Sequence, residues 1–517
     1  MQVNQRQGDE VPRSMSEYSQ TPAILPLAPR RTDGVLDESQ LTALREATML
    51  ILEEVGVHVP SARARTVFAD NGAKVGDDQI VRIPPDVVEH AMSTAPRTFC
   101  LAGREERFDL TLDGRHSYVA TEGVGVHVVD TETRRLRASR KADVATFARV
   151  CDALPLVAFF WPPVSAQDHG TTAPLHECHA GLTSTLKHVR GATTVRPELA
   201  RYVVEMATVV AGDEASRRRR PPICGNICTI SPLAHDEHGL DCALAYAEAG
   251  IPFSFMAMTT MGSVAPATAL GALVQGDAEV VSGMVLAQLA APGCPVFHSV
   301  LVSLMNPYSG GYVSEVPLPV HWMAAELAHA WGVPSLAGGS VSSDDGGIGW
   351  LAGRCAGLGA AQAMLSGSEI CGYIGLTGGA TVLFPEQVML QHEVLCEAVS
   401  EFGEFTFDAA DMALDVIRDV GPRGHFLKHG HTRHHVREMR LPAWLRPRTP
   451  QSVHASPCDA SSIDSLAAKA SGGLDSCATR AAALDDYRRI EQEHHPEPLP
   501  ADVLLELEQL LSAAERE

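Results

Sequence analysis

Between about residue 115 and residue 402, short apolar runs alternate with longer stretches whose apolar residues recur every three or four positions. The runs fall at 117–122, 157–164, 188–194, 222–229, 252–259, 295–302, 334–339 and 369–376, and their length and flanking turn residues predict buried strands. The stretches between and after them, 141–153, 174–186, 197–211, 236–249, 266–291, 317–331, 347–367 and 385–402, predict helices. The clearest unit spans 251–299. An apolar run is followed there by a Gly/Ser/Pro turn at 262–266, then by Leu270, Leu273, Val274, Val281, Met284, Val285 and Leu289 at helical spacing. Pro266 is placed to open that helix, where no N–H is needed, and Gly293 to close it. Two buried strands joined by a long helix pair most simply in parallel, with a right-handed crossover.

Eight strands, each followed by a helix, predict an α/β protein built as a (β/α)8 TIM barrel over 115–442. The rival is a doubly wound open sheet, but the chain lacks a Gly-rich phosphate turn after its first strand. Ahead of the barrel, 35–114 predicts an α+β layer whose first helix is capped by Asp37 and ended by Gly56. Residues 1–34 are polar and aperiodic, and predict a disordered or wrapping tail. Residues 443–517 predict a partly mobile helical extension, ending in an amphipathic helix over 502–514.

Composition narrows the function classes. The 517 residues are 45% hydrophobic and carry a net charge of −22, with only short basic runs, which argues against nucleic acid as the main partner. No run reads as apolar enough to span a bilayer, the first twenty residues hold no signal-peptide core, and the 12 cysteines lack a framework spacing. A cytoplasmic protein with reduced thiols is expected, of a size compatible with a homo-oligomer.

In a barrel, chemistry sits at the carboxyl ends of the strands. That rule selects Glu122, Trp161, Gln167, Met258, His298, Asn306, Tyr308, Asp344 and Asp345 as candidate substrate-binding residues, with no catalytic residue assigned. Each is also an ordinary wall residue in the alternative reading. Aromatic rings and a carboxylate at that rim suit a cationic ligand, since a ring face attracts a quaternary ammonium by about 0.5–2 kcal/mol. A nucleophile elbow is missing. For metal, His176-Glu177-Cys178-His179 spaces its histidines at i, i+3 rather than the i, i+4 of a zincin helix. The dense cluster from His425 to His435 reads either as a metal or anion site or as a capping turn, and no metal is assigned.

A collinear set of segments resembles the trimethylamine methyltransferase (MttB) family of corrinoid-dependent methyltransferases. It comprises Ile51-Leu52-Glu53-Glu54-Val55-Gly56-Val57, Ile83-Pro84-Pro85, Thr229-Ile230-Ser231-Pro232-Leu233, Ala265-Pro266-Ala267-Thr268-Ala269-Leu270-Gly271, Ala278-Glu279-Val280-Val281-Ser282-Gly283, Pro292-Gly293-Cys294-Pro295-Val296, and Val420-Gly421-Pro422-Arg423-Gly424-His425-Phe426-Leu427. The resemblance covers about residues 35–445. It implies a (β/α)8 barrel that moves a methyl group from a methylated amine to the cobalt of a separate corrinoid-binding protein, with no tightly bound cofactor of its own. Only standard residues occur, so the chain is similar to the branch without pyrrolysine, whose members act on quaternary amines such as glycine betaine. The chain departs from the family pattern at Asn306-Pro307-Tyr308, at 340–350 and at Leu376-Thr377-Gly378-Gly379. Two alternatives stay open: a catalytically altered barrel that binds a small molecule, and a metal-dependent barrel enzyme.

Overall fold

The computed structural model describes residues 21–27, 34–123, 125–191, 196–314, 316–338, 347–402, 409–436 and 478–517. Its centre is a set of parallel strands: β1 (Tyr118–Thr121), β2 (Val157–Phe160), β3 (His188–Arg190), β4 (Ile223–Ile230), β5 (Phe253–Met261), β6 (Val296–Met305), β7 (Leu336–Gly338) and β8 (Ile370–Ile374). Each neighbour pair from β1 to β6 is parallel, as are β7 with β8 and β8 with β1. Between β6 and β7 there is an isolated parallel bridge, His298 to Ser335, and Ser299 Oγ donates to Leu336 O at 2.7 Å. The eight apolar runs are thus strands, and helices fill the stretches between them. The protein is α/β.

Two apolar cores result. The larger lies between strands and helices and takes in the N-terminal layer, with Leu44, Leu52, Phe68 and Val81 packed into the same mass as Val280, Val281 and Leu286. The smaller lies on the strand face turned away from the helices and holds Tyr118, Phe159, Trp161, Met256, Phe297 and Tyr373. An antiparallel hairpin, Phe99–Leu101 with Leu110–Leu112, inserts Leu101, Leu110 and Leu112 into this smaller core. The hairpin approaches from the amino ends of the strands: His188, at the start of β3, has its Nδ1 2.9 Å from Ala102 O, and Phe297, near the start of β6, lies 6.1 Å from Phe99.

The first helix, Glu38–Leu50, is capped by Asp37, whose Oδ1 accepts from Gln40 N at 2.9 Å while Gln40 Oε1 accepts from Asp37 N. Gly56 ends the following turn at φ +82°, and a Cβ there would fall 2.6 Å from Val81 O. The long helix begins later than its proline suggests. It runs Ala269–Ala290 with Thr268 at its start, and Pro266 belongs to the preceding turn.

That helix also corrects the expectation about bilayer-spanning runs. It is long and apolar enough by composition, yet 78% of its most apolar window is buried inside the protein. Of the N-terminal tail, 21–27 packs onto the molecule: Leu27 is buried and bridges Ser117, and Thr21 Oγ1 hydrogen-bonds Asp152. At the other end, Ala478–Glu493 packs Ala483, Tyr487 and Ile490 into the main core, and Ala501–Ala514 forms the last helix. A small sheet was not foreseen: Leu376–Thr377, Val382–Leu383, His127–Val129 and Leu136–Ala138. Strands of two or three residues are too short to show a period.

Candidate active site

In parallel α/β sheets, ligands bind outside the carboxyl ends of the strands. Here the amino-end side of the inner face carries the leucine hairpin, so the opposite end is left for chemistry.

The end of β1 is locked to the end of β2. Thr121 Oγ1 donates to Trp161 O at 2.6 Å and accepts from Trp161 N at 2.7 Å. This fixes Trp161, the residue after β2, as a buried wall of the inner face. Glu122 follows β1, half-buried, with its N–H on Ile374 O at 2.8 Å. Its charge helps raise the Tyr373 phenol, which burial already holds well above its ordinary pKa. Glu122, Tyr373 and Trp161 therefore share one neighbourhood at the ends of β1, β2 and β8.

Arg190, the last residue of β3, completes it. Its guanidinium carbon lies 3.8 Å from the centre of the Trp161 ring. Its Nη2 donates to Ser254 Oγ at 3.0 Å, and Ser254 Oγ donates to Asn226 Oδ1 at 2.9 Å. Arg190 is fully buried, and burial lowers its pKa. Arg190 is not among the residues that the strand-end rule selects. The available signal was a charged side chain inside an otherwise apolar strand, a placement that arginine avoids unless it is paired.

The other predicted residues separate. Met258, in β5, is 44% exposed, an apolar side chain on the same rim. His298 is the third residue of β6, far from the strand's carboxyl end, and its Nε2 meets Asp277 Oδ1 of the long helix at 2.7 Å. It faces the helical layer, because successive strand residues point to opposite faces. Gln167 turns away as well: its Nε2 donates to Val126 O at 2.6 Å and to Ser139 Oγ at 3.0 Å. Asn306 makes the turn after β6, with Oδ1 accepting from Tyr308 N at 2.9 Å and Ser309 N at 3.2 Å. Tyr308, at the tip of that turn, is 98% exposed. Asp344 and Asp345 lie outside the described residues.

The loops at this rim are braced from behind. Glu279 of the long helix is fully buried and holds the end of β4 and the segment after it: it accepts from Thr229 Oγ1 at 2.6 Å, Ser231 Oγ at 2.8 Å and Leu233 N at 2.9 Å. Glu177 does the same after β2, accepting from Ala166 N at 2.9 Å, and burial pushes its pKa up to about 7.

Two histidine groups stand apart from this neighbourhood, and in one of them His169, His176 and Glu515 bring ligand atoms within 4.8 Å of one another. His176 stacks on His169 with ring centres 3.4 Å apart, and Glu515 Oε1 lies 3.0 Å from its Nε2. Lys141 Nζ sits 3.0 Å from the other ring nitrogen, and burial with this neighbouring ammonium lowers His176 to about 4. The same ammonium would oppose a metal cation on that ring. In the His425–His435 region, His429 Nδ1 accepts from His431 N at 3.1 Å and caps the helix Gly430–His435, while its Nε2 lies 3.2 Å from Asp419 Oδ2.

Comparison with known proteins gives a consistent result. The family profile described as trimethylamine methyltransferase (MTTB) matches residues 4–441. The chain is 30% identical over 427 residues to trimethylamine methyltransferase MttB of Desulfitobacterium hafniense (strain DSM 10664 / DCB-2), covering 78% of this chain and 82% of that protein. It is 28% identical over 442 residues to the glycine betaine methyltransferase of Desulfitobacterium hafniense (strain Y51), covering 82% and 91%. A solved monomethylamine methyltransferase (MtmB) of Methanosarcina barkeri superposes with a TM-score of 0.44 at 12% identity, over 91% of this chain and 92% of that one.

Proposed function

The chain belongs to the trimethylamine methyltransferase (MTTB) family, and from that premise we propose that it removes a methyl group from a quaternary amine and passes it to a corrinoid carried by a partner protein. The observation that carries this reading is the family match over 4–441, laid on a parallel sheet whose inner face is capped at one end by a leucine hairpin.

We infer further that the eight strands close into a (β/α)8 barrel. The bridge from His298 to Ser335 and the bond from Ser299 Oγ to Leu336 O support closure between β6 and β7. The rim residues Glu122, Trp161 and Met258 are proposed to meet the substrate, with Arg190 and Tyr373 beneath them.

The chemistry asks little of the protein beyond binding and orientation. A methyl on a quaternary nitrogen leaves behind a neutral tertiary amine: the C–N bond breaks and its electron pair stays on nitrogen. No proton need move, which fits a site without an assigned acid or base. The corrinoid, when docked, supplies the electron pair that accepts the methyl group. No residue of this chain is assigned to hold it. An open end flanked by exposed apolar side chains such as Met258 and Trp350 suits a flat macrocycle brought by a partner. The contribution of the protein is to hold the ammonium, exclude water and point one methyl outward.

The test is methyl transfer from a panel of quaternary amines to free cob(I)alamin, read as methylcobalamin by absorbance. Formation with at least one amine is expected. Binding without transfer across the panel would overturn this reading and favour a catalytically altered barrel.

A further inference from the structure

Arg190 is a cation enclosed in the proposed site without a counter-charge among the described residues. It is fully buried, and among the described residues no carboxylate lies within ion-pair distance of it. Its titratable neighbours include the Cys224 thiol and the Tyr373 phenol, both of which burial pushes up, so that neither is ionised near neutral pH. Only Nη2 has an acceptor; Nε and Nη1 are buried with no hydrogen-bond partner. The Trp161 indole N–H, on the ring that stacks against this guanidinium, is buried and without a partner as well. Three donor nitrogens on two touching side chains thus lack an acceptor among the described residues. Buried donors are almost always satisfied, and an isolated buried charge is more costly still.

The geometry points to a carboxylate on the substrate: we infer that Arg190, with the Trp161 indole, is the anion-binding half of the site and selects zwitterionic quaternary amines over simple quaternary cations. Electrostatics argue the same way from the ligand's side. A quaternary ammonium near a buried, uncompensated guanidinium is repelled, and Trp161 already gives one ring face to Arg190. A ligand that brings its own carboxylate removes both penalties at once, since the guanidinium is paired and the ammonium faces a neutralised neighbour. The guanidinium presents its N–H groups in a planar fork that matches a carboxylate. Close approach at the indole edge is possible because residue 123 is glycine, where a Cβ would fall 2.7 Å from Trp161 Nε1. Ser254 and Asn226 hold the fork in place by the chain of bonds through Ser254 Oγ.

This inference rests on the methyl-transfer reading for its site but is tested separately. The full-length protein is titrated by calorimetry with glycine betaine, a longer carboxylated betaine, choline and tetramethylammonium, and the same four are offered for methyl transfer to cob(I)alamin. At least one carboxylated amine is expected to bind and react about 10- to 100-fold better than choline, the range of a charge-assisted hydrogen bond. Arg190→Met should remove that preference, and Arg190→Lys should restore part of it. Equal use of choline or tetramethylammonium by the parent protein overturns the inference and leaves methyl transfer standing. Tight binding of a carboxylated amine without transfer upholds the anion site and sinks the proposed activity. Absence of binding by either carboxylated amine overturns the inference. Should Arg190→Met fail to fold, as judged by circular dichroism, the ligand preference of the parent protein decides.

Discussion

His298 Nε2 lies 2.7 Å from Asp277 Oδ1 with both side chains fully buried. The same carboxylate accepts from Trp331 Nε1 at 3.0 Å and from Thr48 Oγ1 at 2.6 Å. One aspartate thus ties the first helix, the long helix, β6 and Trp331 together. Removing one member strands the others in a dry interior. Asp277→Ala is expected to cost about 3 to 5 kcal/mol in urea unfolding. His298→Gln should also lower stability, while KM for the amine in the folded fraction stays unchanged. A raised KM would return His298 to the substrate site.

Glu279 carries a different load, since three of its four acceptor contacts bind the end of β4 and the segment after it, bordering the proposed site, and the fourth comes from Gln275 of its own helix. Glu279→Gln turns one accepting oxygen into an N–H donor facing other donors. A loss of about 1 to 3 kcal/mol in stability is expected. Because the loop it holds is at the rim, kcat/KM should fall too, and thermal melts beside steady-state kinetics will check both.

Burial holds His188 and His235 at about 4, against 6.5 for a free imidazole. Their folded-state pKa values are depressed, so the unfolded chain takes up protons first as pH falls. Stability should be full above about pH 6.5 and decline towards pH 4, by on the order of 3 kcal/mol for each ring. Unfolding free energies measured between pH 7.5 and 5 will show the slope, and His235→Gln should make it shallower.

Glu177 runs the opposite way. Burial raises it to about 7 from an ordinary 4.5, so its contribution is full below about pH 4.5 and lost as pH rises through 7. Glu177→Gln keeps an oxygen for Ala166 N and carries no charge. It is expected to be more stable than the parent protein at pH 8, by on the order of 3 kcal/mol, with little difference at pH 5. Chemical unfolding at the two pH values distinguishes these outcomes.

Tyr308 stands at the tip of the turn after β6, almost wholly exposed. Tyr308→Ser should change stability by less than about 0.5 kcal/mol and leave calorimetric amine affinity unaltered. A tenfold loss of affinity would show that the turn folds over the ligand.

The order of strands and helices was legible in the chain because burial writes it as a period. Apolar runs such as 252–259 and the stripe from Leu270 to Leu289 became β5 and the Ala269–Ala290 helix with small shifts at their ends. The capping of the first helix by Asp37 and its end at Gly56 were equally local, set by hydrogen bonds within a few residues. The candidate site was less legible. Glu122, Trp161 and Met258 are selected by their place after or within strands, yet the same rule selects His298 and Asn306, whose side chains hold the long helix and the turn after β6. A one-residue difference along a strand reverses the face to which a side chain points, and the strand β6 runs on to Met305, well past its apolar run. Arg190 shows what only tertiary structure decides. Its meaning lies in what surrounds it: a Trp161 ring at 3.8 Å, Ser254 from a strand two places away, and no carboxylate among the described residues. Those neighbours come from chain segments about 30 and 60 residues distant. No local period encodes them, because they meet only when the strands are laid side by side and their inner faces are desolvated together.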